Sequence, residues 1–210
     1  MASAIIHIAV AKEINKHLHC DEKQLLLGSI APDLSKQTGS SRIQSHFQIE
    51  EEEPPHLDLF LEKYENQLDN PFLLGYYIHL YTDYLWFKYF ITEIVQKDGL
   101  ILLNGKKLKG TSEEVYNLIY KDYTNLNIQV IDAYELDLSL FYEEIPLPTI
   151  LMSEIDIQKL PILIDKMGLI IKNSYIAKNY SFDLKAIQQF ITLSVEIIQA
   201  DIQERQKKQL

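Results

Sequence analysis

Apolar residues recur at helical spacing along most of the chain. Between Ser3 and about Leu18 they occupy positions 5, 6, 10, 14 and 18, close to the period of an α-helix. Asp21, with Gln24 three residues later, resembles a capping box that opens a short helix, LLLGSI, and Pro32 ends this helix. The beginning of the chain therefore predicts two helices in succession.

The centre of the chain contains its most hydrophobic segment. Residues 33–53 include the turn-forming stretch TGSS and a run of glutamates, so we expect a solvated loop there. A helix can begin at the following Pro-Pro pair and run over about 54–68, because proline is tolerated in the first turn. Residues 70–96 are apolar on nearly every helical face, which predicts a long, central helix.

The second half continues the helical pattern after one short interruption. LILLNGKKL, residues 100–108, places Asn-Gly between apolar arms and predicts a small β-hairpin. Thr111 with Glu114 matches a capping box that opens the next helix. Helices are predicted over about 112–136, 160–173 and 182–208. The predicted fold class is therefore all-α, a helical bundle around the central hydrophobic helix.

Length and composition favour a single domain. The chain has 210 residues, of which 47% are hydrophobic and 24% charged, and one domain of this size can bury a substantial core. No apolar run approaches the roughly 20 residues of a membrane span, and the N-terminal stretch lacks the basic segment and cleavage site of a signal peptide. We therefore expect one domain over residues 1–210, without a transmembrane segment, in the cytoplasm.

Charge and cysteine content restrict the partners and cofactors. The formal net charge of −10 repels phosphate backbones, so a broad nucleic-acid-binding surface is not expected. The single cysteine, Cys20, excludes an internal disulfide and a zinc site built from thiolates. Any metal is therefore expected to be held by His, Asp and Glu, and a bound cation would make the local field positive.

A histidine and an aspartate interrupt the apolar central helix. In GYYIHLYTDYLWF, residues 75–87, His79 and Asp83 stand four positions apart, so in a helix they lie one turn apart on the same face. This spacing supplies two ligands in helical zinc sites. The same spacing also suits a simple hydrogen-bonded pair, so the pair alone leaves both interpretations open.

Three more residues of the same types have apolar neighbours. Asp33 in SIAPDL and His46 in SHF stand towards the two ends of the predicted loop, which can bring them to one point, and His7 lies on the first helix. A single histidine of this kind is often a hydrogen-bonded core residue. Buried unpaired carboxylates are costly, however, and metal coordination satisfies them. With the pair on the central helix, these residues predict a nitrogen and oxygen ligand shell for zinc.

The remaining polar candidates have alternative interpretations. Asp122, near Asn125 in YKDYTNLN, can supply a further inward-facing ligand or can be a solvated helix residue. Arg42 is one of two arginines in the chain and lies between two proposed ligands. Its planar guanidinium can clamp a phosphate, although a solvated loop arginine is the alternative. The other histidines are expected outside the site: His17, His19 and His56.

Four blocks of the sequence resemble a known family. HIAVA, LLLGSIAPD, SHF and NPFLLGYYIHLYTD, in this order within about residues 5–87, are similar to the bacterial zinc-dependent phospholipase C family, which is related in fold to a group of zinc-dependent nucleases. The resemblance implies an all-α fold with a zinc cluster that hydrolyses phosphate esters. By position it implies His7, Asp33, His46, His79 and Asp83 as ligands, with Asp83 bridging to a second metal near His7.

The chain also departs from that family. The secreted phospholipases have an N-terminal tryptophan that binds zinc through its amine and carbonyl, and they use two further histidines and a glutamate beyond the helical His-Asp pair. Here no histidine follows His79. We therefore expect one or two metal ions rather than three, with zinc first and iron or manganese as alternatives.

The expected function is hydrolysis of a phosphate ester on a small phosphorylated substrate. Metal ions can hold a phosphate oxygen and supply hydroxide near neutral pH. Asp33 is the candidate catalytic group that orients or deprotonates the water, and Arg42 is the candidate phosphate clamp. Two alternatives remain. One is an HD-like phosphohydrolase, although no histidine here precedes an aspartate directly. The other is a non-catalytic binding or scaffold protein that a metal stabilises.

Overall fold

The computed structural model describes residues 2–51, 53–138 and 142–208. Its first two helices lie where the sequence predicts them. Helix α1 spans Ala4–Leu18, and the Ser3 side chain caps it by accepting from the backbone N–H of Ile6. Helix α2 spans Glu22–Ile30 and is capped by the Asp21 side chain. The chain continues beyond α2 as a 3₁₀ turn, Ala31–Asp33, because proline fits the first turn of a helical segment.

The expectation of a loop over residues 33–53 is wrong in part. Two short helices lie there: α3 spans Leu34–Thr38 and α4 spans Arg42–Ser45. Gly39 ends α3 with φ of 68°, in the left-handed region that glycine adopts without strain. Ser41 then caps α4 by accepting from the backbone N–H of Gln44. The TGSS stretch is the turn between these two helices.

The central helix is present but shorter than predicted. Helix α5 spans Leu57–Tyr64, and α6 spans Pro71–Leu85 after an Asn70 cap. A π-helical segment, Trp86–Ile91, and the short α7, Thr92–Ile94, follow before the backbone becomes extended at Val95. Nearly every side chain of α6 is buried. This burial agrees with the prediction that it is the central helix.

A small antiparallel sheet follows α7. Its strands are β1, Val95–Gln96, β2, Gly99–Ile101, and β3, Lys107–Lys109, in the order β1-β2-β3. Leu100 pairs with Leu108, and Gly105 in the connecting turn has φ of 75°. The predicted hairpin is therefore confirmed, and the structure adds the two-residue strand β1, too short to give a period of its own.

The remaining helices match the predicted positions. Helix α8 spans Ser112–Ala133 and begins with the reciprocal capping box of Thr111 and Glu114. Helix α9 spans Leu160–Asn173 and α10 spans Leu184–Lys208. Their buried residues join those of α1, α2 and α6 in one hydrophobic core. The fold class is all-α with a small sheet. Within the described ranges, no helix has both the length and the apolar character needed to cross a membrane.

Candidate metal centre

His79 and Asp83 face one point inside the molecule, as their spacing predicts. Both side chains are completely buried, and His79 Nε2 lies 3.7 Å from Asp83 Oδ2. His7 reaches the same point from α1. Its ring stacks on that of His79 with 3.8 Å between centroids and 13° between planes, and its Nε2 lies 3.3 Å from Asp83 Oδ1.

Two glycines determine how closely α2 approaches α6. A Cβ added to Gly28 would lie 2.0 Å from the carbonyl oxygen of Phe72, and one added to Gly75 would lie 2.0 Å from that of Leu25. The two backbones are therefore in direct contact at this crossing. The contact brings the carbonyl of Ser29 to 2.8 Å from His79 Nδ1.

Asp33 and His46 come from the helical segment that replaces the predicted loop. Asp33 ends the 3₁₀ turn after α2, and His46 directly follows α4. Tyr76 on α6 donates its hydroxyl to the carbonyl of Ser45 at 2.5 Å, which holds α4 against the central helix. Phe47 has φ of 52°, which is rare for an aromatic residue. This conformation turns the chain immediately after His46.

The five side chains form two overlapping groups of possible metal ligands. One group is His7, His79 and Asp83, the other is Asp33, His46 and His79, and within each group the ligand atoms lie within 4.8 Å of one another. His46 Nε2 lies 3.6 Å from Asp33 Oδ1, 3.9 Å from Asp83 Oδ2 and 3.3 Å from His79 Nε2. The structure thus brings together all five residues on which the sequence and the family resemblance converge.

The hydrogen bonds around the histidines favour metal binding through Nε2. The Ser29 carbonyl can only accept, so His79 Nδ1 carries the proton and Nε2 presents a lone pair in the neutral ring. His46 Nδ1 lies 2.9 Å from the hydroxyl of Ser45, which can also donate to the carbonyl of Arg42 at 3.2 Å. With that arrangement His46 donates from Nδ1, and its Nε2 is free as a ligand too.

Both carboxylates are held in the ionised form. Burial alone would raise the pKa of Asp83, but the adjacent His7 outweighs it, and the pKa lies below its usual range. Burial likewise acts to raise the pKa of Asp33, but Lys36 outweighs it, and the pKa lies well below its usual value. Ionised carboxylates are the form in which Asp binds metals.

The pKa values of two of the histidines are lowered as well. Burial is the main cause that lowers the pKa of His46, and it outweighs the nearby Asp33 carboxylate, which acts to raise that pKa. Burial, followed by the proximity of His7, lowers the pKa of His79 well below its usual value. Both rings therefore favour the neutral form that coordinates a metal.

The buried polar atoms of this cluster fit a bound cation. Within the described residues, Asp83 Oδ2 and both ring nitrogens of His7 are buried without a hydrogen-bond partner. Unsatisfied buried polar atoms are uncommon, and an ion is one of the arrangements that satisfies them. Imidazole nitrogens with carboxylate oxygens suit zinc, and also iron and manganese. The cluster can therefore hold a metal ion.

Two cationic side chains lie at the edge of the cluster. Lys36 Nζ is 2.8 Å from Asp33 Oδ1, and Arg42 Nη2 is 4.0 Å from Asp83 Oδ2. The side chains of Lys36 and Arg42 are 34% and 29% exposed and that of Asp33 is 9% exposed, whereas the three histidines and Asp83 are at 0%. Solvent therefore reaches the cluster from the side of Lys36 and Arg42.

Asp122 does not join this cluster. Its Oδ1 accepts from the backbone N–H of Tyr180 at 2.8 Å, and its Oδ2 accepts from the N–H of Ser181 at 2.7 Å and from the Ser181 hydroxyl. The carboxylate thus fixes the backbone that precedes α10. Asp122 is buried, as a metal ligand would be, but both of its oxygens accept hydrogen bonds from this segment. Its neighbour Asn125 donates to the carbonyl of Lys178.

The other histidines lie outside the cluster. His17 and His19 are exposed at the end of α1, and His56 is half-buried beside Glu53. The sequence-based interpretation therefore placed them correctly.

The sequence-based interpretation did not identify three residues that contribute to the site. Lys36 stands three residues after Asp33, a spacing that indicates a pair only if the segment is helical. Ser29 contributes through its backbone carbonyl, which gives no signal in the residue type. Ser45 precedes His46 directly. The sequence SHF does not show whether this serine bonds to the histidine ring or only ends a helix.

No solved structure, curated protein or protein-family model matched the chain in the comparisons made with each.

Proposed function

We propose that this protein is a metal-dependent hydrolase that acts on a phosphate ester. The observation that carries the proposal is the position of Lys36 and Arg42 at the solvent-accessible edge of the buried His/Asp cluster. A metal bound only for stability would already neutralise the two carboxylates and would need no further cations at the edge of the cluster. A phosphate group bound there would face the metal ligands on one side and two cationic side chains on the other.

The ligand roles follow from which side chains lie close together. His7, His79 and Asp83 would hold one ion, and Asp33 and His46 belong to the second ligand group, which shares His79 with the first. A bound ion of this type polarises phosphoryl oxygens and lowers the pKa of a bound water. The two oxygens of Asp83 face different histidines, Oδ1 towards His7 and Oδ2 towards His46 and His79.

Asp33 is the residue proposed to orient the attacking water. Its lowered pKa keeps the carboxylate ionised, so it can accept a hydrogen bond from a water at the edge of the cluster. The same low pKa makes it a weak base. Asp33 therefore contributes through orientation more than through proton removal.

Arg42 is the residue proposed to clamp the phosphate. Its Nη1 is buried without a hydrogen-bond partner among the described residues, and its Nη2 is 4.0 Å from the nearest carboxylate oxygen of Asp83. The guanidinium therefore retains donors for phosphate oxygens. Such donors stabilise the negative charge on the phosphoryl oxygens while the phosphoryl group is transferred from the alcohol to water.

The resemblance to the zinc-dependent phospholipase C family supports the same proposal. The blocks that carry it contain His7, Asp33, His46, His79 and Asp83. In that family, residues of these types bind the zinc ions that hydrolyse phosphodiesters. The chain has no counterpart of the later histidines, so phospholipase activity itself is not part of the proposal.

A non-catalytic, metal-stabilised protein is the alternative that one observation favours. The three histidines and Asp83 are entirely buried, as expected of a metal that holds helices together. An HD-like phosphohydrolase has less support, because its adjacent His-Asp pair is missing.

The test combines metal content with ester hydrolysis. Protein purified without chelator or nickel affinity would be analysed for metal and assayed with p-nitrophenyl phosphate and bis-p-nitrophenyl phosphate. We expect stoichiometric metal in the wild type and its loss in Asp83→Asn. Arg42→Lys should keep the metal but lower hydrolysis by roughly 100-fold, because lysine cannot reproduce the planar pair of donors.

Two results would contradict the proposal in different ways. Metal-free protein that takes up none of zinc, iron or manganese would remove the basis of the site. Metal-loaded protein that hydrolyses neither ester, with Arg42→Lys indistinguishable from the wild type, would favour the non-catalytic alternative.

A further inference from the structure

With a divalent metal ion bound, the charges around the cluster do not balance without a dianion. Asp33 and Asp83 contribute two negative charges, and the histidines ligate in the neutral form. One divalent ion would cancel the two carboxylates. Lys36 and Arg42 then leave two positive charges beside a largely buried site, and a second divalent ion would add to that excess.

From this balance we propose that the substrate is a phosphate monoester bound as its dianion, with Lys36 as a specificity-determining residue. The inference rests on the proposed function and names the substrate class of the same site. A monoester carries close to two negative charges above about pH 6, whereas a diester carries one. A diester would leave one cation uncompensated in a poorly solvated position, which is unfavourable.

The shape of the approach to the site supports the same class. Asp33, Lys36 and Arg42 are the partly exposed members of the site, and the histidines behind them are at 0% exposure. A monoester can present its phosphate at the end of the molecule and leave its single alcohol group outside. A diester has substituents on both sides of the phosphorus and would need space on both sides of the cluster.

Lys36 is positioned to distinguish the two charge states. Its Nζ contacts Asp33 Oδ1 and it lies one helical turn from that residue, so its ammonium is held at the edge of the cluster. The extra oxygen charge of a monoester is what this ammonium would recognise.

A binding measurement tests the inference without catalysis. Isothermal titration at about pH 8, where a monoester is a dianion, would compare inorganic phosphate with dimethyl phosphate on metal-loaded protein. We expect inorganic phosphate to bind at least roughly 10-fold more tightly than dimethyl phosphate. Lys36→Gln should remove most of that preference, since one hydrogen bond to a charged group is worth roughly 10-fold or more.

Two variants control the binding measurement. Lys16→Gln removes the lysine of another i,i+3 ion pair, with Glu13 on the exposed face of α1, and should change neither affinity. Lys36→Arg keeps the charge and should retain the preference. Metal content would be measured for every variant, so that a loss of the ion is not mistaken for a loss of phosphate recognition.

Hydrolysis of the two chromogenic esters separates this inference from the proposed function. A higher kcat/KM for p-nitrophenyl phosphate than for the diester, with Lys36→Gln lowering the first by roughly 10- to 100-fold and the second little, would support the inference. Faster hydrolysis of the diester, or equal losses on both esters, would overturn it and leave the phosphoesterase proposal intact. Equal affinity for inorganic phosphate and dimethyl phosphate would overturn it even if the protein hydrolysed neither ester.

Discussion

At the scale of single residues, metal binding by the His/Asp cluster depends on which ring nitrogen of His79 carries the proton. The Ser29 carbonyl accepts from Nδ1, and this leaves the Nε2 lone pair directed at Asp83 and His46. A backbone carbonyl cannot be removed by changing a side chain. The ligand form of His79 therefore depends on where the backbone of α2 lies.

Asp83 and Asp122 are both buried carboxylates, and we predict opposite consequences when each becomes asparagine. Asp122→Asn should keep the metal content of the wild type but lower the free energy of unfolding by about 1–3 kcal/mol, because an amide cannot accept from both Tyr180 and Ser181. Asp83→Asn should lose the metal. Elemental analysis and urea unfolding of both variants provide the measurement, and metal loss in Asp122→Asn would contradict the structural role assigned to it.

The sequence alone predicts the relative positions of site residues that lie on the same helix. His79 and Asp83 lie on one helix, so their spacing alone places them on one face. Asp33, His46 and His7 needed the additional argument that buried charges require partners. Asp122 shows the limit of that argument, because backbone N–H groups from a distant segment also satisfy a carboxylate.

At the scale of elements, the crossing of α2 and α6 is the feature on which the site depends. Gly28 and Gly75 permit direct contact between the two backbones, since each would collide with the other helix if it carried a Cβ. The contact is close to Ser29 and one turn before His79. The stability of the helix pair and the geometry of the ligands are therefore determined by the same two residues.

We predict that Gly75→Ala is strongly destabilising. The new Cβ would lie 2.0 Å from a backbone oxygen of Leu25, so the helices must separate, and the loss should be about 3 kcal/mol or more. Metal affinity should fall as well, because the Ser29 carbonyl would withdraw from His79. Thermal unfolding and metal titration provide the measurement.

Gly110→Ala is the matched control for this variant. A Cβ at Gly110 would contact only the Glu114 side chain, at 3.1 Å or more, and that side chain can move. Little change in stability is expected. If Gly75→Ala were as stable as Gly110→Ala, the close contact between α2 and α6 would not be needed for stability, and the prediction would be wrong.

The accuracy of the sequence-based interpretation differs among elements for physical reasons. Long amphipathic helices with capping residues, such as α1, α8 and α10, were predicted within a few residues. Helices α3 and α4 were missed because four or five residues are too short to display a period. The change from α-helix to π-helix at Trp86 has no signal in an apolar, aromatic run.

At the scale of the whole molecule, a cluster of ionisable groups in the core links stability to pH. His46 and His79 have lowered pKa values in the folded state, so below about pH 6.5 the unfolded chain binds more protons. Asp33 and Asp83, whose pKa values are also lowered, have the same effect below about pH 4. Acid therefore destabilises the fold in both ranges.

We predict that the metal-free protein loses stability as the pH falls below about 6.5. His46 and His79 should each contribute up to about 1.4 kcal/mol per pH unit to the slope of unfolding free energy. Urea unfolding between about pH 7.5 and pH 5, with chelator present, measures the slope. His79→Gln should reduce it and His17→Gln, at an exposed position, should not. A slope that is the same in all three proteins would contradict the prediction.

The sharing of His79 by both ligand groups has a consequence for stoichiometry. Since Nδ1 is occupied by the Ser29 carbonyl, His79 has a single nitrogen to offer, and both groups need it. The first ion to bind removes a ligand from the second group, which must then use an oxygen of Asp83 or solvent. Binding of two ions is therefore expected to be negatively cooperative, so that the number of ions per chain rises from one towards two only as the free metal concentration increases.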